Sequence, residues 1–234
     1  MAIKTKGLGL RVWRFIKRLF IVLFFLHIFY LLLLKWVNPP ITITQLVSLV
    51  SGEGLSRDYV NYNEMSSYAK LAVISSEDQL FPEHNGFDWK SIEKALEHNE
   101  KNPDRVRGGS TISQQVAKNV FLWQGRSWIR KGLETYFTFL IELVWGKKRI
   151  LEMYLNIAEM GEGIYGIEAA AHSYFKKPAA RLTRTQAAMI AACLRNPKKY
   201  TVKPMSKFVS NRYPWILKQM NNLQSRESFQ SLLQ

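Results

Sequence analysis

The hydrophobic positions of this chain begin with an almost continuous apolar run near the N-terminus. The run from Leu19 to Leu34 is broken only by His27 and Tyr30, and further apolar residues extend it. Its length approaches the ~20 residues that cross the hydrocarbon core of a bilayer. We therefore predict a transmembrane helix over residues 19–37, preceded by a basic tail over residues 1–18.

The residues on either side of this run indicate its orientation. Residues 1–35 carry seven Lys or Arg and no acidic residue. Because basic residues remain on the cytoplasmic side of a span, we predict a cytoplasmic N-terminus and place the rest of the chain outside. A cleavable signal peptide is the alternative. It is disfavoured because the run is long and is followed by Asn38-Pro39-Pro40 rather than by small residues.

The region beyond the apolar run is typical of a mainly helical domain. Residues 38–63 are polar and contain glycines, so we interpret them as a membrane-proximal connector without chemistry of its own. From residue 64 onward, apolar side chains recur at helical spacing. We predict one helical domain over residues 64–234, in which residues 206–234 form a last helix.

In the segment Ala72–Asp88, an apolar helix pattern is followed directly by a cluster of ionisable residues. An apolar helix is predicted to end at Glu77, and Asp78, Phe81 and His84 follow before a turn. A carboxylate that is partly withdrawn from water has a raised pKa, as a base working near neutral pH requires. Glu77 is the candidate general base and Asp78 a residue that holds it in place. The alternative is an acidic helix end on the surface.

A glycine pair followed by a helix start characterises the segment Arg107–Asn119. Thr111 begins a capping-box pattern. Backbone N–H groups beside glycine, the helix N-terminus and the charge of Arg107 together favour an anionic ligand. Gln115 and Lys118 share one face of this helix. An ordinary capped helix with a polar face is the alternative.

Cations crowd the start of a third helical segment, Arg126–Trp145. Arg126, Arg130 and Glu134 lie four residues apart, and Lys131 precedes Glu134 by three. Cations are unfavourable at a helix N-terminus, and an anionic ligand would remove this conflict. The alternative is a solvent face with weak ion pairs, about 0.3 kcal/mol each. The apolar positions of the segment form a separate helix face.

Composition restricts the remaining function classes. The single cysteine, Cys193, excludes an intramolecular disulfide and thiolate-based metal sites. The net charge of +15 is concentrated at the two ends, and residues 176–234 carry 12 basic residues against one acidic residue. Nucleic-acid binding would explain this excess, but the predicted orientation places that region outside the cytoplasm. No nucleic-acid partner is therefore expected.

Five segments resemble, in order, the motifs of the peptidoglycan glycosyltransferase family. They are SEDQLFPEHNGFD, RGGSTISQQVAKN, RSWIRKGLE, RILEMYLNIAEMGEGIYGIEAAAHSYF and RLTRTQAAMIAACLRNPKKY, within residues 66–200. The resemblance implies a lysozyme-like helical domain with a smaller membrane-proximal lobe. It also implies polymerisation of lipid II into β-1,4-linked glycan, with inversion and release of undecaprenyl pyrophosphate. The match is closest to short members of the family, and no second catalytic domain is expected.

The resemblance implies a role for individual residues. Glu77 would take the proton from the sugar 4-hydroxyl of an incoming lipid II, and Glu134 would be the second essential carboxylate. Arg130 and Lys131 would neutralise the departing pyrophosphate. Further candidates for contacting substrate or holding the catalytic groups are Asp78, Phe81, His84, Thr111, Gln115 and Lys118. Arg107 and Arg126 are added as substrate-binding candidates from the charge pattern.

The fourth motif is interpreted as two helices joined by glycines that shape the cleft floor, with Tyr165 as a candidate substrate contact. The family usually carries Glu where this chain has Gln186, which puts a salt bridge there in question, though not catalysis.

Residues 121–123 are expected in the core rather than against lipid. No cofactor is required by the sequence, and a divalent cation accompanying the pyrophosphate is implied for some members.

The resemblance also implies partners and a location. The partners are lipid II, the growing lipid-linked glycan, the membrane and other wall-synthesis or division proteins. The location is the bacterial inner membrane, with a single span and a periplasmic catalytic domain.

Two other functions remain open at this point. A lytic transglycosylase or lysozyme-like hydrolase would share the helical fold and one key Glu, but it needs no pyrophosphate site. A scaffold without activity is the second alternative.

Overall fold

The computed structural model describes residues 5–103, 108–125 and 127–233, which form mainly α-helices, as predicted. The helices are α1 (Thr5–Leu33), α2 (Ile43–Val50), α3 (Ser67–Glu77), α4 (Trp89–Lys101), α5 (Ile112–Phe121), α6 (Trp128–Val144), α7 (Lys147–Ile157), α8 (Ile167–Phe175), α9 (Arg184–Cys193), α10 (Lys207–Gln224) and α11 (Glu227–Leu233). The strands are β1 (Ser56–Arg57), β2 (Glu159–Gly161) and β3 (Ile164–Tyr165). They form one sheet in the order β1-β3-β2.

The chain divides into two compact units, residues 1–38 and residues 39–234. Helix α1 accounts for most of the first unit. Its 25-residue segment Gly9–Leu33 is long and apolar enough to cross a membrane. The helix begins before the predicted span because it continues into the basic N-terminal residues.

The predicted connector belongs to the second unit. Thr42 and Gln45 form a capping box at the start of α2, and β1 pairs in parallel with β3. The side-chain amide of Asn156 also makes two hydrogen bonds of 3.0 Å to the backbone of Val60. Residues 39–63 are thus folded into the same unit as the rest of the domain.

The core of the second unit is built around α3. This helix packs against α9 and α10, while α5 packs against α6 and α7. Small residues on α9, such as Ala188 and Ala191, are buried and allow close approach. Cys193 is buried on the same helix. The predicted last helix is divided into α10 and α11, because α10 is capped at Ser225.

Helix α6 buries a different side from the one that its apolar residues suggest. Its buried residues are Glu134, Thr138 and Ile141, whereas Ile129 is 76% exposed. The helix packs against α5, and much of its apolar surface stays uncovered by the described residues. In the preceding loop Leu122 is buried, as expected, but Trp123 is exposed, so the core prediction for residues 121–123 holds only in part.

Candidate active site

Glu77 stands at the C-terminal end of α3, as predicted. The next residue, Asp78, leaves the helical conformation with φ −158° and ψ 81°. Because the helix stops there, Glu77 lines a cavity of about 370 Å³ together with the glycine-containing segment 108–111. Residues 69–75 of α3 are buried, so the helix that carries Glu77 is held in the core of the domain.

Neutral donors bind both oxygens of the Glu77 carboxylate. The Gln115 amide donates to Oε2 over 3.0 Å, and the Ser76 hydroxyl lies 3.1 Å from Oε1. Burial raises the pKa of Glu77, and the negative charge of Asp78 adds to this rise; the two hydrogen bonds and the positive charge of Arg212 oppose it. A carboxylate with a raised pKa in a cavity is suited to exchange a proton near neutral pH.

Asp78 connects the end of α3 to the start of α5. It is 6% exposed. Both of its oxygens lie 3.0 Å from His84 Nε2, and the Ile112 N–H donates to Oδ2 over 3.0 Å. A carboxylate is favourable at this helix N-terminus. Asp78 therefore holds Glu77 indirectly, by fixing the two helices that carry Glu77 and Gln115.

Thr111 and Phe81 are also held inside the protein. Thr111 is 2% exposed and forms the predicted capping box, and its hydroxyl donates to the Gly86 carbonyl over 2.7 Å. Phe81 is fully buried, with the Lys147 ammonium 4.6 Å from its ring centre. Gly86 has φ +90°, and an added Cβ would lie 2.8 Å from Thr138. These contacts fix the loop that follows Glu77.

The predicted cation cluster is present around Glu134. Its buried carboxylate lies 2.7 Å from Arg130 Nη1 and 2.5 Å from Lys131 Nζ. Lys118 is close enough to interact with Glu134, Arg130 and Lys131. Burial lowers the pKa of Lys118; the charge of Glu134 raises it, and the two neighbouring cations lower it further. Three cations around one carboxylate leave an excess of positive charge.

The cluster also has an unused donor. Among the described residues, no acceptor lies within hydrogen-bonding distance of the buried Nε atom of Arg130. Buried polar atoms are nearly always paired. An anionic ligand at this point would satisfy both the open donor and the excess charge.

A second cavity, of about 250 Å³, adjoins the Glu77 site through Gln115. It is lined by Gln115, Lys118, Tyr154 and Lys198 among other residues. Gln115 thus lines one cavity while binding the carboxylate that lines the other.

Several site residues differ from the sequence-based set. Arg107 and Arg126 lie outside the described residues and stay predictions. Tyr154, whose hydroxyl lies 3.2 Å from Gln115 Oε1, was missed because it occupies a buried helix face with no charge pattern. Arg212 was missed as one of many cations in the basic C-terminal region. Gln186 forms a capping box with Thr183, a role that glutamine fills as well as glutamate.

Comparisons with known proteins identify the family of this chain. The model of the Transglycosylase family matches residues 44–221. Proteins named biosynthetic peptidoglycan transglycosylase from Escherichia coli and Shigella boydii serotype 4 are each 60% identical over 166 residues, which cover 71% of this chain and 69% of theirs. The predicted family resemblance is confirmed, and the chain belongs to the transglycosylase family.

Proposed function

We propose that this chain is a peptidoglycan glycosyltransferase that polymerises lipid II into β-1,4-linked glycan strands with release of undecaprenyl pyrophosphate. The observation that carries this proposal is the pairing of a hydrogen-bonded Glu77 with a cation cluster at Glu134. The names of the similar proteins support it independently.

In the proposed reaction Glu77 takes the proton of the acceptor 4-hydroxyl as that oxygen attacks the anomeric carbon of the donor. The bond from this carbon to the pyrophosphate oxygen breaks, and its electrons leave with the pyrophosphate. Direct displacement inverts the anomeric centre, converting an α-linked donor into a β-linked product. Lys118, Arg130 and Lys131 supply fixed positive charge where negative charge develops on the leaving group.

The charge cluster also separates this proposal from a hydrolase. Hydrolysis of glycan needs a carboxylic acid and water, but it releases no pyrophosphate. Lys118, Arg130 and Lys131 would then have no anion to bind. A divalent cation, as some members of the family use, is proposed to enter with the substrate pyrophosphate. Among the described residues, no group of three or more His, Cys, Asp or Glu side chains lies close enough together to hold a metal ion.

The proposed location is the bacterial inner membrane, with a cytoplasmic N-terminus and a periplasmic domain. The apolar segment of α1 suggests the membrane anchor. The basic residues that precede Leu19 support the orientation. Lipid II, the growing glycan, the membrane and other wall-synthesis proteins are the proposed partners.

Exposed apolar side chains within the catalytic unit support a second membrane contact. On α6, Trp128 is 92% exposed and Leu143 is 72% exposed, and on α2 Val50 is 80% exposed. Contiguous exposed apolar patches are typical of interaction surfaces, and α2 and α6 both pack against α5. We propose that they contact the bilayer in which the lipid chains of the substrate lie.

The test is incubation of the purified full-length protein with labelled lipid II, followed by lysozyme digestion of any polymer. The expected result is lysozyme-sensitive glycan and an equivalent amount of undecaprenyl pyrophosphate. Shortening of added glycan without consumption of lipid II would instead identify a hydrolase. A protein that neither consumes lipid II nor shortens glycan would be a scaffold.

A further inference from the structure

A chain of hydrogen bonds connects the proposed base to a buried tyrosine on another helix. Gln115 Nε2 donates to Glu77 Oε2 over 3.0 Å, and Gln115 Oε1 lies 3.2 Å from the Tyr154 hydroxyl. The three residues come from α3, α5 and α7, which are distant in sequence. Tyr154 is 1% exposed, so its hydroxyl is almost inaccessible to solvent.

The chemistry of the groups determines which one donates and which one accepts in each of these hydrogen bonds. An ionised carboxylate only accepts hydrogen bonds, so the NH₂ group of the Gln115 amide must face Glu77. The amide oxygen then points towards Tyr154, where it needs a donor. Burial and the charge of Glu77 raise the pKa of Tyr154 well above its usual range, so the phenol keeps its proton.

We propose that Tyr154 is a positioning residue for the general base, holding the Gln115 amide in the orientation that donates to Glu77. The inference rests on the proposed function of Glu77 as the base. Without the hydroxyl, the amide oxygen of Gln115 would lack its donor and the amide would lose one of its two anchors. Donation to the carboxylate would weaken, so protonation of Glu77 would become easier.

The other charged and titratable groups around Glu77 would be left in place by a substitution of Tyr154. Asp78 follows it directly after the end of α3, Arg212 faces it from α10, and Arg226 lines the same cavity. From α9, Cys193 contributes a neutral thiol, because burial raises the pKa of Cys193 to about 12. None of these groups makes a hydrogen bond to Tyr154 in the described part of the chain, so its hydroxyl can be changed without moving them.

The test is Tyr154→Phe in the full-length enzyme, measured as lipid II polymerisation from pH 5 to 9. Loss of one buried neutral hydrogen bond predicts a fall in kcat of about three- to tenfold. The acid limb of the pH profile should move to higher pH by about half a unit. KM for lipid II should change less than kcat, because Tyr154 is only 1% exposed where it borders the second cavity.

A matched control separates positioning from general stability. Tyr174 is also buried, and its hydroxyl donates to the Met160 carbonyl over 2.9 Å. Tyr174→Phe removes an equivalent hydrogen bond away from Glu77. It should lower the thermal stability to a similar extent but leave the acid limb where it is.

A double-mutant cycle with Gln115→Ala tests whether Tyr154 acts through the amide. In that background Tyr154→Phe should cause no further shift of the acid limb. If Tyr154→Phe folds poorly, 3-fluorotyrosine at position 154 replaces it; this stronger donor should move the acid limb to lower pH. A wild-type pH profile for the Tyr154 variants, or additive effects with Gln115→Ala, would overturn this inference alone. Failure of the wild-type protein to polymerise lipid II would overturn the proposed function instead.

Discussion

The two carboxylates of the site lie in opposite environments. Glu77 is bound by neutral donors from Gln115 and Ser76, whereas Glu134 contacts the cations Arg130 and Lys131. Neutral donors leave a buried carboxylate able to take up a proton, as the raised pKa of Glu77 indicates. In an ion pair, a carboxylate instead holds the neighbouring cations in a fixed orientation. In the proposed reaction, the same functional group thus serves proton transfer at one position and leaving-group stabilisation at the other.

The largest expected effect is that of Glu77→Gln. The amide keeps the shape of the side chain but cannot take a proton, so polymerisation should fall by about 10³-fold or more. Lipid II binding should remain measurable. Turnover and binding of a lipid II analogue, measured on the same preparation, check both parts. Near-normal turnover would show that Glu77 is not the base.

Glu134→Gln should reduce turnover by about 10²-fold, because Arg130 and Lys131 lose the partner that positions them. Unlike Glu77→Gln, this change should also weaken binding of a pyrophosphate-bearing donor analogue. Titration with the analogue measures that difference. Glu142→Gln is the matched control: Glu142 lies on the same helix and pairs with Lys147 over 2.6 Å, yet donor affinity should not change. Unaltered donor affinity in Glu134→Gln would contradict the proposed division of roles.

Ser76→Ala should have a smaller effect on the Glu77 side alone. It removes the donor to Oε1, so kcat should fall about two- to fivefold and the acid limb should move to higher pH. Donor affinity should stay at the wild-type value. A pH profile of kcat beside the donor titration distinguishes the outcomes. An unshifted acid limb would indicate that Gln115 alone sets the proton affinity of Glu77.

The smallest expected effect concerns stability. Because the folded-state pKa of Glu77 is raised, its protonated form stabilises the fold below the unfolded pKa, and this contribution is lost as pH rises through the folded pKa. Glu77→Gln stays neutral and should therefore have a higher Tm than the wild type at neutral pH. The difference should vanish in acid. Glu97→Gln, at an exposed position on α4, should show no such dependence; a Glu77→Gln variant less stable at neutral pH would refute the expected sign.

The sequence predicted those parts of the site that depend on near neighbours. The end of α3 at Glu77, the capping box at Thr111 and the pairing of Glu134 with Arg130 all involve residues within four positions of one another. Tyr154 could not be found in this way. Its contact with Gln115 joins positions 39 residues apart, and no local pattern specifies such a pair.

Helix α6 shows a second limit of sequence patterns. Apolar periodicity indicates that one face avoids water, but a protein core and a lipid bilayer both satisfy it. Only the packing of α6 against α5 reveals that Glu134 and Thr138 face inward while Ile129 stays exposed. The strand within the connector could not be predicted for a related reason, because two-residue strands such as β1 are too short to leave an alternating pattern.

The pairing of β1 with β3 leaves only a short linker between α1 and the catalytic unit. Because residues 39–63 are folded into the catalytic unit, only residues 34–38 separate the end of α1 from that unit. Fully extended, this short linker would measure about 17 Å. With α1 anchored in the bilayer, the site would search for lipid II in two dimensions, and the frequency of encounters would follow the number of substrate molecules per unit area of membrane rather than their concentration in the surrounding volume.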